Sequence, residues 1–118
     1  MTADRLFHIT TRAELDAALP AGHYRPQAFA REGFIHCSRG PQVAATADRI
    51  FRGRHGLVLL EIDPAMLTCR VIVENLEGGE ELYPHIYGAL PLAAVVAVHD
   101  LPVDSAGRFT LPLVVRSV

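Results

Sequence analysis

The chain has no lysine; all eleven basic residues are arginine. Schiff-base chemistry, and any other step that runs through a lysine amine, is therefore excluded. Cysteine is scarce as well. Cys37 and Cys69 are too few and too far apart for a disulfide framework or a zinc knuckle. Thiols in a chain without a secretion signal point to a reducing compartment. The N-terminal stretch carries Asp4, Arg5, His8 and Arg12 where a signal peptide would have an apolar core. The apolar run from Ala93 to Val98 falls far short of the ~20 residues of a membrane span. Neither sign of charge dominates: the formal net charge is −2, which gives no broad pull toward nucleic acid or anionic membrane. These absences lead us to expect a cytoplasmic protein.

What is present is hydrophobic. Half of the 118 residues are apolar, which argues against disorder. One domain spanning 1–118 is expected, large enough to build a core without metal or disulfides.

The pattern mixes helices and strands. Leu6 to Ile9 reads as a first strand, and Thr11-Arg12-Ala13-Glu14 as a capping box opening a helix to about Leu19. Pro20 and Gly22 stop it. His23 to Pro26 reads as loop, and Gln27 to Glu32 as one or two helical turns. Phe34 to Cys37 is a second strand. Pro41 suits the start of a helix whose Val43, Ala44, Ala47, Ile50 and Phe51 recur at helical spacing. Leu57 to Ile62 is a near-continuous apolar strand, expected to be covered on both faces. Asp63-Pro64 caps one turn through Leu67. Arg70 to Glu74 is a strand, with Val71 and Val73 on one face and Ile72 and Glu74 on the other. Asn75 to Glu81 is a polar, glycine-containing loop and the candidate mobile segment. Pro84 puts the Tyr83 to Gly88 segment at a sheet edge or in an extended loop. Pro91 to Ala94 suits a helical turn and Val95 to Leu101 a strand. Asp104 to Gly107 is a turn, and Phe109 to Val115 an edge strand. The class is α+β.

Three segments repeat a histidine followed two residues later by a hydroxyl: His8 with Thr10, His36 with Ser38, and His85 with Tyr87. Six histidines and twelve Ser, Thr or Tyr would give about 0.6 such pairs by chance. Each pair lies where a strand gives way to a turn, the usual mounting point for a site on a rigid scaffold. In a strand, Phe34, His36 and Ser38 point one way, and Ile35 and Cys37 the other. Cys37 then reads as a buried, inert thiol rather than a nucleophile. His23, His55 and His99 read as loop, turn and strand-end residues. Glu74 ends an apolar strand beside the glycine loop and is the acid that stands out. The bland alternatives are a half-buried His36 satisfied by backbone, a His8 that seats the first helix, a core Tyr87 and a solvated Glu74. No HExxH, CxxC or HxH spacing marks a metal site, so a metal would need the three dispersed histidines to converge.

Together, Phe7-His8-Ile9-Thr10, Glu32-Gly33-Phe34-Ile35-His36-Cys37-Ser38, the Leu57 to Asp63 strand, Glu74 and Pro84-His85-Ile86-Tyr87-Gly88 resemble bacterial domain-of-unknown-function family 952. The resemblance implies an ADP-ribosylation-like fold: two small, roughly orthogonal sheets, mixed or antiparallel, with two main flanking helices and a cleft between the sheets. It implies a small-molecule nucleotide as partner, with NAD as substrate; the spacings noted above predict no metal. By analogy with ADP-ribosyltransferases, His8 and Thr10 form a first binding element. His36 and Ser38 form a second, with His36 catalytic, and Glu74 acts at the ribose. His85 and Tyr87 add to the cleft. The function implied is ADP-ribosyl transfer or NAD glycohydrolysis. A non-catalytic nucleotide-binding module and a histidine-based metalloenzyme are the alternatives.

Overall fold

A computed structural model describes residues 5–76 and 78–116. In chain order these form β1 (Leu6–Thr11), α1 (Arg12–Ala18), β2 (His23–Tyr24), α2 (Phe29–Glu32), β3 (Ile35–His36) and α3 (Val43–Ile50). Then come β4 (Leu57–Ile62), β5 (Arg70–Glu74), β6 (Tyr83–Tyr87), β7 (Leu90–Pro91), β8 (Val95–Asp100) and α4 (Leu113–Arg116). The expected α+β class holds. All pairing among the described strands is antiparallel, in sheets of order β1-β4-β8, β3-β6-β5 and β2-β7.

The core follows the apolar periodicity. β4 is a central strand with both faces covered, as its unbroken apolar run implies. Val58, Leu60 and Ile62 pack with Leu6, Tyr24, Ile35 and Ile86 on one side. Leu57 and Leu59 pack with Phe7, Ile9, Val43 and Ala47 on the other. Thr11 caps α1 through the Glu14 N–H, at 3.0 Å. Only half of the capping box forms, because the Glu14 carboxylate accepts from the Gln27 N–H at 3.1 Å. Leu19 to Ala21 tighten into a 3-10 turn, and Gly22 closes it at φ 76°, where a side chain would be strained. Asp63 caps the following turn through the Ala65 N–H, as its Asp-Pro sequence implies.

Four expectations are corrected. The α3 stripe is narrower than its spacing suggests: Val43 and Ala47 are buried, Ala44 and Ile50 are exposed, and Thr46 takes a buried place. His23-Tyr24 is not loop but β2, paired with Leu90-Pro91; a two-residue strand carries no periodicity to read. The Tyr83 to Tyr87 segment is not at an edge: β6 is the centre of its sheet, despite Pro84. Pro84 falls opposite Cys37, where the β3 ladder ends. Its carbonyl accepts from the Cys37 N–H at 2.9 Å, and its missing N–H costs only the return bond. Finally, Phe109 to Val115 is not a strand. Phe109 makes a single bridge to Val103, and Pro112 then opens the turn of α4. The loop after β5 is described except at Glu77, which lies outside the described residues.

Candidate functional site

The site begins where two sheets part. Phe7 and Ser38 exchange both backbone hydrogen bonds, at 2.8 and 2.7 Å, and so join β1 to the chain leaving β3. In an antiparallel ladder the next such pair would be Ile9 with His36, two residues on. That rung is not made by backbone. The His36 carbonyl instead accepts from the His8 ring at Nδ1, 2.7 Å away. Beyond this point a cleft of about 660 Å3 opens, within the usual range for small-molecule sites. By the same alternation, the N–H and C=O of Ile9 point away from β4 and into the opening, and Ile9 lines it.

The β1 wall is a closed hydrogen-bond chain. A carbonyl can only accept, so His8 carries its proton on Nδ1 and presents a lone pair at Nε2. That nitrogen accepts from the Tyr24 hydroxyl at 2.8 Å. The Tyr24 oxygen is in turn hydrogen-bonded by the Thr10 side chain. Burial pushes His8 down to about 4, partly offset by its bond to His36, so the ring is neutral near pH 7. Burial likewise raises Tyr24, which stays a phenol. His8, Thr10 and Tyr24 are all buried.

The opposite wall holds a charge. Glu74 on β5 accepts from His85 Nδ1 at 2.9 Å and from the Tyr87 hydroxyl, both on β6. These bonds, from Tyr87 first and His85 second, hold the Glu74 carboxyl below the usual range and push Tyr87 up. His85 is buried, and its Nε2 lies 3.2 Å from His36 Nδ1. Phe34 stacks on the His85 ring at 4.1 Å between centroids, an interplanar angle of 19°. Glu74, His85 and His36 therefore form a carboxylate–imidazole–imidazole line. Where the His85 Nδ1–H donates to Glu74 and the ring carries no second proton, its Nε2 accepts from the His36 Nδ1–H. His36 then carries its lone pair on Nε2, a buried atom of a ring that lines the cleft.

His8, Thr10, His36, Ser38 and His85 all line the cleft. Ser38 is also tied to Thr46 of α3, 3.1 Å between hydroxyls. Glu74 and Tyr87 are not among the lining residues; both reach the cleft through His85. Cys37 faces the core, and burial raises its thiol. His99 pairs with Glu61 at 2.9 Å, and His23 and His55 are exposed. Among the described residues no three His, Cys, Asp or Glu side chains are arranged to hold a metal.

Sequence reasoning missed Tyr24, which lay in an assumed loop, and Gln42. Gln42 is buried, and its amide donates to Glu81 at 3.1 Å and to the Leu82 carbonyl at 2.8 Å, while accepting from the Arg39 N–H. It pins the end of the glycine loop beside the site. Its one sequence signal was a polar residue directly before the apolar stripe of α3.

No curated protein matches the chain. Among solved structures, the crystal structure of protein CC0527 from Caulobacter crescentus is similar at 34% identity and a TM-score of 0.84. The match covers 95% of this chain and 98% of that one. The solution structure of the same protein matches at 36% identity and a TM-score of 0.75, over 87% and 89%. A family model described as a protein of unknown function, DUF952, matches residues 9–98, which hold His36, Glu74 and His85. The chain belongs to the DUF952 family.

Proposed function

We propose that the cleft binds an NAD- or ADP-ribose-type nucleotide, within an ADP-ribosylation-like fold and a single cytoplasmic domain, and that it transfers ADP-ribose or cleaves the nicotinamide–ribose bond. The observation that carries this reading is the interrupted rung between β1 and β3. It aims the Ile9 N–H and C=O at a gap whose far side is His36. A planar carboxamide such as that of nicotinamide offers the matching acceptor and donor. The Arg31 and Arg54 side chains also line the cleft and suit a diphosphate.

The chemistry then falls to His36. The bond between the anomeric carbon and nicotinamide breaks, and its electron pair leaves with the nicotinamide nitrogen. A water or acceptor hydroxyl forms the new C–O bond and gives its proton to His36 Nε2. The Nδ1 proton of His36 passes to His85, whose imidazolium sits against Glu74. The resemblance puts the glutamate at the ribose. Its position behind His85 makes it a positioning residue instead, and His36 the proton acceptor. His8 contributes as a strut, since both of its ring nitrogens are engaged.

The position of Glu74 outside the lining favours a second reading, a nucleotide-binding module without turnover. Thermal-shift titration with NAD, ADP-ribose and nicotinamide tests binding. A ligand at 100 times its Kd stabilises by about 2.7 kcal/mol, roughly ten degrees for a domain of this size. No shift with any of the three rejects both readings. Binding with turnover that falls sharply in Glu74→Gln and His36→Ala supports the enzyme. Binding without turnover in the wild-type chain supports the module.

A further inference from the structure

The outer edge of β5 is open among the described residues. β5 is the last strand of the β3-β6-β5 sheet, and no described strand pairs with its far side. Natural edges are usually blunted by proline, lysine, a bulge or a cover. The β3 edge is two residues long and bridged to β1. The β8 edge faces a register shift at Glu61/Ile62. β5, Arg70-Val71-Ile72-Val73-Glu74, has five regular pairs with β6 and none of these devices.

The ladder shows which groups face outward. Pro84 and Cys37 are hydrogen-bonded across β6 and β3. By alternation, the backbone of Tyr83, His85 and Tyr87 faces β5, where their partners are Glu74, Ile72 and Arg70. The N–H and C=O of Val71 and Val73 therefore point to the open edge. Their side chains share a face with buried Ile86 and Pro84, which are their cross-strand partners. That face is core at β6 and reaches solvent at β5, where Val71 is 36% and Val73 48% exposed.

We propose that a second copy of this chain docks on this edge, β5 against β5 in antiparallel, about a two-fold axis through Ile72. The strand is self-complementary in that register. Val71 meets Val73 of the second copy in two narrow pairs, which use all four outward N–H and C=O pairs. Ile72 meets its own equivalent. Arg70 falls opposite Glu74 of the other copy in the wide pairs, where side chains lie closest. The four valines extend the core face across the axis, and opposite charges close both ends. No other described edge has this charge symmetry: β8 ends in His99-Asp100, with no basic residue to meet them. The pairing brings a guanidinium of the second copy to Glu74, the carboxylate behind His85. The argument uses only the edge and is independent of what the cleft binds.

Sedimentation velocity over a concentration series tests it. The wild-type chain is expected to pass from monomer to dimer as concentration rises. Val73→Pro removes an outward N–H and no bond to β6, so it should weaken association roughly tenfold or more while leaving the far-UV circular dichroism unchanged. Ile72→Cys in a Cys69→Ala background should give a disulfide-linked dimer on mild oxidation, and Cys69→Ala alone should not. A wild-type chain that stays monomeric throughout, a dimer that Val73→Pro leaves intact, or an Ile72→Cys variant that does not cross-link overturns the proposal. Should Val73→Pro fail to fold, the cross-link alone decides.

Discussion

The two walls of the cleft use the same residue type in opposite ways. On the β1 wall, His8 meets a backbone carbonyl and a phenol. Neither partner changes charge near neutral pH, so the ring is locked in one tautomer and stays neutral. On the β6 wall, His85 meets a carboxylate and a second imidazole, which between them can accept or release a proton. One wall is held fixed, and the other carries a carboxylate–imidazole–imidazole line. The difference lies in the partners, not in the histidines, so a histidine count cannot tell them apart.

The largest expected effect comes from breaking the fixed wall. His8→Ala removes the donor to the His36 carbonyl and the acceptor of the Tyr24 hydroxyl in a buried site. Each unpaired group costs about 1–3 kcal/mol, so we expect a loss of about 4 kcal/mol in urea unfolding. A loss below about 1 kcal/mol would show that the wall is not a strut.

The pH dependence of stability is the next test. The folded pKa of His8, about 4, lies below its unfolded value near 6.5. Between those values the unfolded chain binds the extra proton. His8 therefore contributes stability that is fully present above pH 6.5 and is lost as pH falls toward 4, by about 3 kcal/mol. Glu74 has a depressed pKa too, and its contribution is lost at lower pH, as its own carboxyl protonates. His8→Gln should flatten the slope between pH 6.5 and 4; an unchanged slope would assign it to another group.

The smallest effect concerns the charged wall. Tyr87→Phe removes the leading cause of the lowered Glu74 pKa and leaves the bond from His85. The carboxyl titration, followed by carbon NMR, should move upward with little change in stability. If it does not move, Tyr87 plays no part in holding the carboxylate charged.

Much of this was legible in the residues. The alternation of Phe34, His36 and Ser38 against Ile35 and Cys37 set the cleft face and the core face of β3 correctly. It also retired the thiol as a nucleophile. β4 declared itself by an unbroken apolar run. Other features had no local signal. Pro84 reads as an edge residue because a central strand needs its N–H. The ladder happens to end at that residue, and only tertiary pairing shows it. Tyr24 sits in a strand too short for periodicity. The relation of Glu74 to His85 is a cross-strand contact, fixed by the register of β5 on β6, which no spacing in the chain encodes.

The seam between β1 and β3 has a further consequence. Two backbone bonds and one imidazole join β1, laddered to β4 over six pairs, to β3, whose own ladder to β6 holds two. It is a lightly bonded line, and local opening should run along it. A ligand that hydrogen-bonds Ile9 on one side and His36 on the other would be a stitch across that line. Binding would then finish the sheet the chain leaves open, and amide exchange would slow on both strands together.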